Sequence, residues 1–231
     1  ASKLFRENPL LHPYTSLSSK GNEIAFGTIG NASTSEGVFF EAINGAGVLQ
    51  VPMLMSVWDD EYSISVPAKY QTTKGSISKI LQGFQRAKGE KGFEIIVAKG
   101  WDYDGLCKAY VQAEKVCRNE HVPVLLHVAQ LTQPQGHSTS GSHERYKDKD
   151  RLAWEKEHDC IRKMREWIVE EGIAHPDELD AIEREARATA KAAKDAAWKA
   201  FNQDIQQAQQ PLSVIMGKLA DADEGIRPIK E

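Results

Sequence analysis

The chain has 231 residues, 41% of them hydrophobic and 27% charged, a composition typical of a folded globular protein. A formal net charge of -4 and an isoelectric point near 6.0 predict no surface for nucleic acid or for an anionic membrane. No apolar run approaches the roughly 20 residues that span a bilayer, and no signal-peptide core is recognisable at the start of the sequence. We therefore expect a cytoplasmic protein, or a matrix protein if the source is eukaryotic.

The first predicted unit is a βαβ unit that follows an extended, proline-containing lead-in of about twenty residues. Its strands cover residues 23–29 and 51–57, and between them Ser35 can cap a helix that begins at Glu36. The apolar residues at helical spacing in that helix are Phe39, Phe40, Ile43 and Val48. A crossover of this kind leaves the two strands parallel.

A polar side chain stands just past each of these strands: Asn31 after the first and Asp60 after the second. Ligands of parallel sheets gather outside the carboxyl ends of the strands. Because neighbouring strands lie roughly 4.8 Å apart, the two side chains should converge on one point, as a hard cation such as Mg²⁺ requires. The alternative is that Asn31 caps the helical region and that Asp59 and Asp60 only form a turn.

A second βαβ unit is predicted further along the chain, before a helical region. The predicted elements are a loop over 66–75, a short helix over 77–86, strands over 93–98 and 123–128, and a helix over 103–118 between those strands. The loop over 133–142 follows the last strand. From Asp150 the pattern is helical, and a seam of small residues extends to Phe201 before a glutamine-rich tail.

These patterns predict an α/β fold, with a mostly parallel sheet flanked by helices and a C-terminal helical extension. The predicted division is a partial α/β domain over 1–148, a helical extension over 149–202, and a linker or tail over 203–231. The three cysteines, Cys107, Cys117 and Cys160, have no metal-ligand spacing, and we expect them to be buried thiols.

Several motifs occur in the order found in one enzyme family. They are Gly30-Asn31-Ala32 followed 26 residues later by Asp59-Asp60, then Ser35-Glu36-Gly37, Tyr62-Ser63-Ile64-Ser65, Gly100-Trp101-Asp102, Gly136-His137-Ser138-Thr139-Ser140 and Tyr146-Lys147. This series resembles the alpha subunit, or the alpha portion of an alpha-beta fusion, of thiamine diphosphate-dependent 2-oxoacid dehydrogenases of the branched-chain or pyruvate type. The resemblance implies a partial thiamine diphosphate-binding fold, and a fragment that lacks the N-terminal part.

The resemblance implies a role for each matching residue. Asn31, Asp60 and the backbone carbonyl of Tyr62 would bind Mg²⁺. Gly30, Ala32, Ser33 and Ser138 would lie against the cofactor, and His137 would be the catalytic acid–base group. The chain departs from the family pattern where the amide and carboxylate of the metal ligands are exchanged, where Ala32 replaces a glycine, and where Gln133 replaces a phosphate-binding arginine. Asp59 adds a negative charge that the family lacks.

The implied function is oxidative decarboxylation of a 2-oxo acid, either a branched-chain acid such as 3-methyl-2-oxobutanoate or pyruvate, with acyl transfer to lipoamide. The implied partners are a beta subunit or fused beta domain and a lipoyl-bearing acyltransferase core, with no nucleic acid or membrane. Since a beta-subunit glutamate completes the family's site, we expect the isolated chain to be inactive. Two alternatives stay open: another thiamine diphosphate enzyme, such as an acetoin dehydrogenase or a transketolase-like protein, and a non-catalytic assembly module with a drifted cofactor signature.

Overall fold

A computed structural model gives the fold of residues 1–16, 18–136 and 142–222. The chain divides into two compact units, Ala1–Glu171 and Gly172–Glu231. The strands in chain order are β1 (Ala25–Gly30), β2 (Met53–Trp58), β3 (Tyr62–Ser63), β4 (Val66–Pro67), β5 (Glu94–Lys99) and β6 (Val124–Ala129). The helices are α1 (Ser2–Glu7), α2 (Gly37–Leu49), α3 (Ile77–Ile80), α4 (Tyr103–Lys115), α5 (Lys149–Glu157), α6 (Cys160–Glu170) and α7 (Pro176–Ala222).

The first unit is built on a four-stranded parallel sheet in the order β1, β2, β6, β5. Each βαβ unit contributes two adjacent strands, and β2 pairs with β6 where the two units meet. Strands β3 and β4 form a small antiparallel pair after β2. The predicted α/β fold with a parallel sheet and a C-terminal helix is confirmed.

Two apolar clusters cover the two faces of this sheet, because successive strand residues point to opposite sides. Helix α2 contributes Phe39, Ile43 and Ala46 to the cluster that contains Val57 and Leu125. Helix α4 contributes Ala109 and Ala113 to the cluster that contains Leu54 and Leu126, and Cys117 joins this cluster from the π-helical turn Val116–Glu120 that follows α4. The sheet is therefore held between helices.

Helix α2 differs in detail from the prediction. It begins at Gly37, and its N-cap is Glu36, which makes no side-chain capping bond. Ser35, the predicted cap, ends a 3-10 turn that covers Ala32–Ser35. Phe40 is more than a third exposed, because the helix presents Ala46 rather than Phe40 to the sheet.

The lead-in is packed rather than extended, because its residues find partners far along the chain. Phe5 of α1 is buried, and the Ser2 hydroxyl donates to the carbonyl of Glu23 at 2.9 Å. Arg6 donates from Nη2 to the carbonyl of Arg118 at 2.7 Å. Prolines and serines alone gave no sign of this packing in the sequence.

The second unit contains α7, which continues across Pro211 to Ala222. The predicted linker from residue 203 is thus helical as far as the structure describes it. The sequence favours a linker there because the stretch is glutamine-rich and contains Pro211 and Gly217. The surface of α7 at the predicted seam is exposed, and Ile182 and Phe201 lie on it. In the described part of the chain, no helix is both long enough and apolar enough to cross a membrane.

The cysteines differ from one another in exposure. Cys117 is buried, and burial raises the pKa of its thiol to about 11. Cys160 is partly buried, whereas Cys107 is exposed on α4. The prediction of a buried thiol is therefore wrong for Cys107, which falls on the solvent face of its helix.

Candidate functional site

A cleft of about 610 Å³ lies at the carboxyl edge of the sheet, where β1, β2 and β6 end next to one another. It is lined by Gly30, Asn31, Ala32, Ser33, Trp58, Asp60, Tyr62, Ser63, Ile64, Leu131, Thr132 and Gln133. Other clefts on the chain have similar volumes, such as one of about 490 Å³ along α4. What distinguishes the carboxyl-edge cleft is that six of the predicted cofactor and metal residues line it.

Asn31 lies at the end of β1, with its backbone fixed to both neighbouring elements. Its amide donates to the carbonyl of Trp58 at 2.9 Å, and its carbonyl accepts from the amide of Thr34 at 3.2 Å. The side chain is buried, with 6% of the residue exposed, and its Nδ2 has no hydrogen-bond partner among the described residues. Such an orphaned group in a buried position is unfavourable by itself. Rotation of the amide by about 180° would place its oxygen there, where a cation could use it.

Asp60 is held in the turn after β2. Its Oδ1 accepts from the amide of Tyr62 at 3.1 Å, which is the arrangement of an Asx turn. The pKa of the Asp60 carboxyl is raised, chiefly because burial disfavours its charged form; the charge of Asp59 acts in the same direction, while the Tyr62 amide and Lys147 oppose it. The turn predicted as an alternative is therefore present, and it holds a carboxylate that is poorly hydrated.

Ala32 and Ser33 form the wall of the cleft beside Asn31. They open the 3-10 turn whose first backbone hydrogen bond runs from Thr34 to Asn31, so their own amides precede that bond. Amides in this position are suited to an anion, particularly when a helix follows. The Gly30 position has open space where a side chain would start, so glycine is not required there for steric reasons.

The side chain of Asp59 does not line the cleft, although its charge acts on the neighbouring Asp60. Asp59 is 5% exposed, and its Oδ2 lies 2.8 Å from Nε2 of His127, which is 3% exposed on the central strand β6. Nδ1 of His127 lies 2.8 Å from the hydroxyl of Ser78. The neutral imidazole with its proton on Nε2 satisfies both contacts, since it donates to Asp59 and accepts from Ser78. The histidine in a buried strand was the signal that could have revealed this pairing.

Among the described residues that line the cleft, there is no Lys or Arg side chain. Lys147, from the Tyr146-Lys147 motif, is buried and bonded to both carboxylate oxygens of Glu155 at 2.7 and 2.9 Å. Gln133 turns its side-chain amide to the carbonyl of Gly136, to which it donates at 3.2 Å. An anionic ligand in this cleft would therefore depend on backbone amides and on a bound cation for charge balance.

The predicted His137 and Ser138 lie outside the described residues. Within the described part, no three His, Cys, Asp or Glu side chains are grouped as a metal site. The predicted ligand set is of another kind, because it combines one carboxylate, one amide and one backbone carbonyl. Such an oxygen set suits Mg²⁺, which keeps waters and binds substrate phosphates in addition to few protein ligands. The buried amide of Asn31 and the poorly hydrated Asp60 therefore fit a magnesium diphosphate.

Comparison with known proteins gives an independent view of the chain. Residues 13–206 match the family model described as "Dehydrogenase E1 component". The pyruvate dehydrogenase E1 component subunit alpha of Rickettsia typhi is 27% identical over 172 residues, which are 74% of this chain and 50% of the relative. The corresponding subunit of Rhizobium meliloti is 24% identical over 170 residues, which are 73% of this chain and 46% of the relative.

A relative with a different printed substrate is also similar. The mitochondrial 2-oxoisovalerate dehydrogenase subunit alpha of Dictyostelium discoideum is 29% identical over 164 residues, which are 70% of this chain and 34% of that protein. The chain thus spans about half the length, or less, of the curated relatives that it matches.

Proposed function

Because this chain belongs to the dehydrogenase E1 component family, we propose that it is part of the component that decarboxylates a 2-oxo acid and transfers the acyl group to lipoamide. The observation that carries the proposal is the convergence of residues 30–33 with Asp60 and Tyr62 on one cleft at the ends of adjacent parallel strands. Neither family membership nor the cleft alone would support this function, since one fold can host many functions.

In this proposal, residues of the chain anchor and orient the cofactor. The side-chain oxygens of Asn31 and Asp60 and the carbonyl of Tyr62 hold Mg²⁺, while the amides of Ala32 and Ser33 contact the diphosphate. When bound, thiamine diphosphate supplies the electron sink for decarboxylation, which protein side chains lack. The absence of lysine and arginine from the lining makes cofactor binding depend strongly on the cation.

His137 and Ser138, which lie outside the described residues, are the remaining groups that we assign to the site from the sequence. A histidine near its ordinary pKa of about 6.5 can accept and donate protons at neutral pH, as acyl transfer requires. Ser138 would contact the cofactor beside it. The beta subunit or fused beta domain, the lipoyl-bearing acyltransferase core and a 2-oxo acid are the proposed partners, and the isolated chain is expected to be inactive.

The test is a turnover assay on the assembly of this alpha portion with its beta portion, with pyruvate and branched-chain 2-oxo acids as substrates. We expect lipoamide-dependent decarboxylation by the assembly and none by the isolated chain. Asp60→Ala should abolish it, whereas Asp104→Ala, a surface acid paired with Lys108, should not. Turnover of acetoin or sugar phosphates instead would favour another thiamine diphosphate enzyme.

A second candidate, a non-catalytic assembly module, is favoured by one observation: in the part of the chain that the structure describes, no cationic side chain lines the cleft. Such a module would join the assembly but would not bind thiamine diphosphate with Mg²⁺. An assembly that forms stably, yet turns over none of these substrates and binds no cofactor, would support it.

A further inference from the structure

Arg151 is a largely buried cation that has no part in the proposed chemistry. It lies in the first turn of α5, where Asp148 caps the helix by accepting from the Arg151 amide at 2.7 Å. Its side chain is 13% exposed and extends from α5 to the carboxyl edge of the sheet. A guanidinium that is this deeply buried needs partners for most of its five donors.

All three nitrogens of the Arg151 side chain have acceptors. Nε bonds to Glu155 at 2.8 Å, Nη1 pairs with Glu61, and Nη2 donates to the carbonyl of Asp60 at 2.8 Å and to that of Leu131 at 3.4 Å. The guanidinium also lies 4.7 Å from the centre of the Trp154 ring and 5.5 Å from that of Tyr62.

These contacts join two segments at the carboxyl edge of the sheet. Asp60 lies in the turn after β2, and Leu131 lies in the loop after β6, where its amide also donates to the carbonyl of Asp59 at 3.0 Å. The guanidinium thus reinforces, from a third element, the spacing that this backbone hydrogen bond sets beside the proposed ion site. A lysine could not do the same, because its ammonium is a single point charge without a fork.

The charge of Arg151 is already neutralised, so it is not a ligand for phosphate. Glu155 and Glu61 both pair with it, and Lys147 shares Glu155. Arg151 is also absent from the residues that line the cleft. Its contribution is therefore geometric: it sets where the Asp60 carbonyl and carboxylate stand.

We propose that Arg151 is a positioning residue, which holds the turn after β2 and the loop after β6 at the spacing that magnesium diphosphate binding requires. The proposal rests on the proposed function for its ligand, and on the contacts above for its geometry. Residues that orient metal ligands in this way typically change metal affinity or activity by about 10–100-fold when replaced.

The test compares Arg151→Lys and Arg151→Gln with the wild type in the complete alpha-beta assembly. Arg162→Gln is the matched control, since Arg162 is a half-exposed arginine on α6 that pairs with Glu166 at 2.8 Å. Calorimetry with thiamine diphosphate in the presence of Mg²⁺ should show at least about tenfold weaker binding in both Arg151 variants. At saturating cofactor their kcat should stay within about twofold of the wild type, a split that general destabilisation would not produce.

Amide hydrogen exchange supplies a readout that needs no cofactor. The Tyr62 amide bonds to Asp60, and the Leu131 amide bonds to the carbonyl of Asp59 at 3.0 Å. Both amides should exchange faster in Arg151→Lys, while amides in α4 and β5 should not change. Arg151→Lys keeps a charge for Glu155, so it remains informative if Arg151→Gln does not fold.

The possible failures are distinct. If the wild-type assembly binds thiamine diphosphate and Arg151→Lys shows the same affinity and the same amide exchange as the wild type, the role of Arg151 is overturned while the proposed function stays intact. If the wild-type assembly binds no thiamine diphosphate, the proposed function is wrong, and the positioning role falls with it.

Discussion

The buried contact between Asp59 and His127 allows a prediction from the geometry alone. Replacing His127 by leucine keeps a side chain of similar size on β6 but removes both ring nitrogens. Asp59 then retains one described side-chain partner, the amide of Glu61, which donates to its Oδ1 at 2.8 Å. The hydroxyl of Ser78 loses its partner on the ring as well.

The expected loss of stability is about 3 kcal/mol. A hydrogen bond to a charged group contributes about 1.5–3 kcal/mol, and a neutral one about 1 kcal/mol. Both contacts are 2.8 Å long, and Asp59 and His127 are only 5% and 3% exposed, so little water can replace the hydrogen bonds that are removed. His127→Gln keeps a donor and an acceptor near the same positions, and should cost about 1 kcal/mol.

Urea unfolding followed by near-ultraviolet circular dichroism measures these differences. A double-mutant cycle with Asp59→Asn isolates the contact, and its coupling energy should be at least about 1.5 kcal/mol. A loss below about 1 kcal/mol for His127→Leu, or a coupling energy near zero, would refute the reasoning. Either result would mean that Asp59 leaves the core and finds water in the cleft.

Three further predictions concern single side chains. Asp60→Asn should stabilise the chain near neutral pH without divalent cations, because burial raises the pKa of Asp60 and makes its ionised form unfavourable in the folded state. The gain in stability should disappear as the pH falls through that raised pKa towards the unfolded value near 3.9. A variant that is less stable than the wild type in urea titrations at neutral pH would contradict this prediction. Iodoacetamide should label Cys107 rapidly and Cys117 only after unfolding, since the pKa of the buried thiol is about 11; equal labelling of both in the folded chain, measured by mass spectrometry, would disprove the assignment. Phe5→Ala should lower the free energy of unfolding by about 3 kcal/mol, because Phe5 is buried in the packed N-terminal segment; a loss below about 1 kcal/mol in urea unfolding would show that α1 is not part of the fold.

The parallel sheet could be predicted because apolar runs of strand length alternate with helical patterns. The strand after residue 123 and the helix with Ala113 and Cys117 on its buried face occur where the sequence indicates them. The meeting of residues 30–33 with Asp60 followed from chain topology, since adjacent parallel strands end at the same edge. The sheet and the position of the cleft thus follow from local sequence patterns and from the rule that adjacent parallel strands end at the same edge. The roles of these site residues remain predictions.

Contacts between distant residues could not be predicted in the same way. Arg151 reaches Asp60 and Leu131 from 91 and 20 residues away. No periodicity relates these positions, so only the folded chain brings them together. The same holds for Asp59, whose direction depends on a histidine in a neighbouring strand. The helix across Pro211 was missed for a different reason: a glutamine-rich stretch that contains a proline and a glycine has the composition of a linker.

Calorimetric titration of thiamine diphosphate into the complete alpha-beta assembly, with and without Mg²⁺, tests the central claim most directly. We predict binding that requires the cation, that is lost in Asp60→Ala, and that is unchanged in Asp104→Ala. Binding without Mg²⁺, equal binding by Asp60→Ala, or no binding by the wild type would contradict the account of this cleft as a magnesium diphosphate site.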